Sequence, residues 1–151
     1  MNTPVPYFVA QANLPYELPA LVLLNELSNP NYTLSYVGTA TINGNPAIHI
    51  HTCDDTDLVS YFVTPQEWYF DARSGLPVLV QYGLPKPRNM QTSWPVSTSY
   101  ANYQVVNGIL VPYQLTMNVG PVVEVATVSS VAFNRGLPST QFQAPPAGGA
   151  Q

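Results

Sequence analysis

Apolar and polar residues alternate along most of this chain. Tyr32, Leu34, Tyr36 and Ile42 are interleaved with Thr33, Ser35, Thr39 and Thr41. That period of two is the signature of a strand with one buried face. Asn43-Gly44-Asn45 then marks a tight turn, and Ile48 and Ile50 share one face of the returning strand. The runs 58–63, 68–70 and 76–82 continue the series as strands. They are separated by the acidic loop Asp54-Asp55-Thr56-Asp57 and the turn Asp71-Ala72-Arg73-Ser74-Gly75. Residues 85–89 should form an exposed loop, and residues 97–106 a strand ending at Asn107-Gly108. The answering strand, 109–119, puts Val111, Tyr113, Leu115 and Met117 on one face. Gly120-Pro121 turns the chain into a last strand over 122–133.

One helix is expected near residues 18–28. Pro19 suits its first turn, Leu21, Leu24 and Leu27 recur at helical spacing, and Asn29-Pro30 stops it. Residues 1–16 carry Pro4, Pro6 and Pro15 and should be extended. The segment Met1-Asn2-Thr3-Pro4-Val5-Pro6 leads straight into apolar sequence, as where a chain starts inside a longer protein.

The predicted fold class is mainly β: a curved antiparallel meander, or open half-barrel, of about seven to eight strands with one short helix. A single domain spans 1–145, with the helix and extended segment in 1–30 and the meander in 31–143. Residues 146–151 form a disordered tail. One short helix is thin cover for such a sheet. The sheet must close into a barrel, keep an apolar concavity, or be completed by another chain.

Composition narrows the function. Charged residues make up 8% of the 151 and hydrophobic ones 46%, against about 25% charged in an ordinary domain. The net charge is −4, and the basic side chains are limited to Arg73, Lys86, Arg88 and Arg135. Nucleic acid is therefore not an expected partner. No apolar run is long enough for a transmembrane helix. Cys53 is alone, so no internal disulfide forms.

Two constellations carry candidate chemistry. His49, His51 and Cys53 project to one face of a strand, a donor set suited to zinc or copper, with Asp54, Asp55 and Asp57 nearby. The plainer reading makes this the solvent side of a hairpin whose Ile48 and Ile50 point inward. No catalytic residues are assigned: there is no Gly-x-Ser-x-Gly elbow, no glycine-rich phosphate loop and no facing carboxylate pair. The second constellation is aromatic. Tyr36, Trp68, Phe70 and Tyr100 can share a face with Val111, Tyr113, Leu115 and Met117. They are either ordinary core or the wall of a hydrophobic binding surface, where tyrosine offers apolar area with a polar tip.

The order of features over residues 31–145 resembles the periplasmic lipoprotein-carrier superfamily, the LolA/LolB-like fold, in its C-terminal portion. The matching features are Trp68-Tyr69-Phe70-Asp71 followed by Gly75-Leu76-Pro77, then Tyr103 with Asn107-Gly108-Ile109-Leu110-Val111-Pro112-Tyr113. Val131-Ala132-Phe133-Asn134, then Phe142 and Pro145, follow in the family's order. Tyr36-Val37-Gly38 and Asn43-Gly44-Asn45-Pro46-Ala47 resemble its upstream hairpin.

The resemblance implies a non-catalytic, periplasmic or otherwise extracytoplasmic, carrier-like domain that binds a lipid or lipidated peptide and needs no cofactor. Two alternatives stand beside it. One is an interaction domain whose open sheet is completed by a partner or homodimer. The other is a metal-binding protein using His49 and His51.

Overall fold

The computed structural model describes residues 18–56, 58–86, 89–133 and 136. The expectations for residues 1–16 and 146–151 lie outside them. Helix α1 (Pro19–Ser28) precedes strands β1 (Tyr32–Ile42) and β2 (Asn45–Asp54). Helix α2 (Leu58–Val63) leads to β3 (Gln66–Asp71), β4 (Pro77–Lys86), β5 (Asn89–Val106), β6 (Ile109–Val119) and β7 (Val122–Thr127). The seven strands form one antiparallel sheet in sequence order. It is the expected meander, and it stays open.

Turn chemistry sets this order. Asn43 and Gly44 both have positive φ, 51° and 82°, as do Asn107 and Gly108, 50° and 83°. These are the two-residue turns whose twist matches paired strands. The β3–β4 turn is held by Asp71, whose Oδ1 accepts from the Ser74 N–H at 2.7 Å and the Ser74 hydroxyl at 2.7 Å. Those bonds, the Ser74 backbone bond first, hold the Asp71 carboxyl below its ordinary pKa.

Register separates two faces cleanly. Tyr36, Ile50, Trp68, Val80, Thr98 and Met117 stand side by side across β1 to β6. One residue along, the row reads Ser35, His51, Glu67, Gln81, Ser97 and Asn118. The first face holds the core: Trp68, Val80, Tyr100 and Leu115, with Val22 and Leu23 of α1 packed against them. Asn102 has a φ of 53° and interrupts the alternation of β5. Tyr100 and Tyr103, three residues apart, therefore both reach the core cluster. The Tyr103 hydroxyl donates to the Pro77 carbonyl at 2.7 Å. Tyr103→Phe should cost about 1 kcal/mol by removing that bond, read as a lower urea midpoint with an unchanged slope.

Several sequence expectations change. The apolar run 58–63 is helix α2 rather than a strand. A short apolar run has no periodicity to decide between the two. Thr64 closes this one as a helix, its N–H and hydroxyl both donating to the Ser60 carbonyl. The expected loop over 85–89 is narrower: Pro85 and Lys86 belong to β4, and Asn89 opens β5. The last strand stops at Thr127 rather than 133. It is an edge held on one side, and its apolar alternation gives way at Ser129-Ser130. In α1 the Leu21, Leu24 and Leu27 repeat turns outward, at 59–67% exposure. The face that meets the sheet is Pro19, Val22, Leu23 and Glu26, spaced at i, i+3, i+4 and i+7.

Candidate functional site

A cavity opens on the apolar face where α1 crosses the first three strands. Its volume is about 290 Å3. Helix α1 contributes Leu23 and Leu27, β1 contributes Leu34 and Tyr36, β2 contributes Ile50 and Thr52, and β3 contributes Phe70. Nearly all of this wall is hydrocarbon. Tyr36 and Leu27 form an open rim, at 68% and 67% exposure. A larger depression, about 590 Å3, opens around Glu67, Gln81, Ser97 and Asn118. Its wall mixes those polar side chains with Pro65, Tyr82, Pro95 and Val96, so it is less uniformly apolar than the cavity under α1.

The structure divides the predicted site residues. Tyr36 and Phe70 line the cavity. Trp68, Tyr100 and Leu115 lie in the core behind it, with Trp68 fully buried. Trp68 stacks on Phe70 at 6.3 Å and on Tyr100 at 6.4 Å between ring centroids. Val111 is buried, and Tyr113 and Met117 are half-buried. Burial pushes the Tyr100 and Tyr103 hydroxyls well above the usual pKa of tyrosine.

Sequence reasoning missed Glu26. It is 1% exposed, on the stripe of α1 that packs on the sheet. Burial raises its carboxyl to about 7 from an ordinary 4.5. The Thr52 hydroxyl lies beside the carboxyl and offsets this in part, without reaching hydrogen-bond geometry. Both Glu26 oxygens, the Tyr32 hydroxyl and the Thr52 hydroxyl are buried without a hydrogen-bond partner. Burial, followed by the nearby Glu26 charge, also pushes the Tyr32 hydroxyl upward. The available signal was the i, i+3, i+4, i+7 spacing of Pro19, Val22, Leu23 and Glu26.

The histidines meet a carboxylate. His49 Nε2 lies 2.7 Å from Glu67 Oε2, and His51 Nδ1 lies 2.8 Å from Glu67 Oε1. The His49 ring also stacks on Tyr69 at 4.4 Å. Cys53 is separated from them. Its Sγ is buried beside the Tyr61 carbonyl and the Thr64 hydroxyl, both 3.8 Å away. Burial first raises the pKa of its thiol, which disfavours the thiolate a metal would need. Among the described residues, no group of three or more His, Cys, Asp and Glu side chains is arranged to hold a metal ion.

No family model matches the chain, and no curated protein matches it. A solved domain from Vibrio parahaemolyticus, described as an outer membrane lipoprotein-sorting protein, superposes with a TM-score of 0.51 at 19% identity. The match covers 74% of this chain and 46% of that one. The chain shares its fold with that domain. A LolA superfamily protein from Nitrosomonas europaea is also similar, at 11% identity and a TM-score of 0.45, over 77% of this chain and 50% of the other. This chain spans about half the length of either structure. No helix among its described residues is long and apolar enough to cross a membrane.

Proposed function

We propose that this domain is a non-catalytic, extracytoplasmic carrier-like module that binds a lipid or lipidated peptide on the apolar face of its sheet. The carrying observation is the cavity beneath α1, largely apolar, with Ser35 and Thr52 as its small polar side chains, and rimmed by exposed Tyr36 and Leu27. Ligand contacts fall first on Tyr36 and Phe70. Trp68, Tyr100 and Leu115 shape the wall behind them, and Val111, Tyr113 and Met117 extend it along β6. A periplasmic location rests on the likeness to the lipoprotein-sorting domain.

Tyr36 is exposed, so Tyr36→Asp should leave the fold intact while placing a charge at the rim. Affinity for a fluorescent acyl probe should fall about tenfold, equivalent to about 1.4 kcal/mol. Protein purified without detergent should also release lipid on organic extraction. Equal probe affinity in the two proteins, with no extractable lipid, would remove the basis for this reading.

A second reading has its own observation. Every residue of β7 is exposed, with Val122, Val123 and Val125 at 60–61% and Glu124 as its sole charge. An apolar edge with little charge invites a further strand. On that reading the sheet is completed by a homodimer, which analytical ultracentrifugation at micromolar concentration detects. Replacing Val123 and Val125 by Lys should then give a monomer.

A further inference from the structure

The proposed apolar site has a polar inner end. Leu23 and Leu27, which line the cavity, flank Glu26 on α1. Thr52, which the Glu26 carboxyl faces, is part of the cavity wall and is fully buried. Thus the buried Thr52 hydroxyl stands in the wall of this largely hydrocarbon space, with the Glu26 carboxyl beside it and the Tyr32 hydroxyl close to Glu26, and none of the three has a hydrogen-bond partner. Leaving such groups unpaired is costly, and a bound head group that completes their hydrogen bonds removes that cost. The volume bears on the tail. At about 290 Å3 the cavity lies at the foot of the roughly 300–1,000 Å3 range of small-molecule sites. It accommodates one alkyl chain rather than several.

We propose that the cavity takes a single-chain amphiphile whose head group donates hydrogen bonds, such as an alkyl amine or alcohol. The head lies against Glu26 and Thr52, and the chain against Leu27, Tyr36 and Phe70. This rests on the ligand-binding reading above and narrows it to a head-group class. Carboxylate-headed chains are selected against, because a second carboxyl beside Glu26 would confront a like charge. Glu26 is the sole titratable group of α1. The titratable groups nearby on the sheet are Tyr32 and Tyr36 of β1 and Cys53 and Asp54 of β2, all neutral or acidic. Among the described residues, none there supplies a positive partner for an anionic head.

The test compares decylamine, decanol and decanoate by calorimetry on the whole chain at pH 8 and pH 5.5. At pH 8 the amine should bind at least tenfold more tightly than decanoate, and the gap should narrow at pH 5.5 as Glu26 takes up its proton. Glu26→Gln keeps the side-chain volume and should abolish the discrimination. Thr52→Val, close in shape, should weaken decanol binding several-fold and leave the folded state intact. Decanoate binding as tightly as the amine at pH 8 would overturn the head-group assignment while leaving the cavity reading standing. Failure of all three probes to bind would sink both.

Discussion

Glu26→Gln is expected to stabilise the protein by about 3 kcal/mol at pH 8 and to leave it little changed at pH 4.5, at about 1.4 kcal/mol per pH unit. The reason lies in where the proton is held. The Glu26 carboxyl has an ordinary value of 4.5 and is raised to about 7 in the fold, burial being the largest cause. Between those values the folded chain binds more protons than the unfolded one, so wild-type stability falls as pH rises. The contribution is complete below pH 4.5 and is lost as pH passes through 7. Glutamine removes the ionisation and with it that slope. Glu26 is 1% exposed, but a single helix layer covers it, so water can relieve part of the cost and 3 kcal/mol is an upper figure. Urea unfolding at pH 4.5, 6 and 8, followed by tryptophan fluorescence, measures it. Parallel pH profiles for the two proteins would show that Glu26 does not carry the ionisation cost.

Trp68→Ala is expected to cost about 3–5 kcal/mol, the range for truncating a buried large aromatic. Trp68 is fully buried at the centre of the sheet, between Phe70 and Tyr100 and beneath Val22 and Leu23. The cavity left behind adds to the lost transfer energy. At about 2–4 °C per kcal/mol for a chain of this size, the melting temperature should fall by roughly 6–20 °C. The same variant isolates the fluorescence of Trp94, which is 41% exposed. Its emission should be red-shifted relative to wild type, in which buried Trp68 also contributes. A melting temperature within a degree of wild type would mean that Trp68 is not a core side chain. Its nearest role would then be ligand contact.

The sequence by itself determined the meander. Period-two alternation marked most of the strands, though not the ends of the last one, and Asn43-Gly44, Asp71 to Gly75 and Asn107-Gly108 marked where they turn. Both signals are local, because the pleat and a two-residue turn depend only on adjacent residues. The order of those turns also carried the resemblance in fold, which the solved lipoprotein-sorting domain shares. Pro19 and Asn29-Pro30 bounded α1 for the same reason: proline acts through its own ring and its missing N–H.

Tertiary structure decided the rest. Helix α1 offers two apolar stripes, and only packing on the sheet chose Val22 and Leu23 over Leu21, Leu24 and Leu27. That choice carried Glu26 inward, against the rule that an acidic side chain faces solvent. The aromatic group of the sequence was divided in the same way: α1 covers Trp68 and Tyr100, while Tyr36 stays exposed at the cavity rim. His49 and His51 found Glu67 because β2 and β3 pair in the register that sets His51 opposite Glu67. Cys53, on the same strand, was drawn beneath the 58–64 segment, which coils where the sequence reads as a strand. Each outcome depends on which surface a second element covers. Burial is a property of two elements packed together, so a pattern confined to one of them leaves it open.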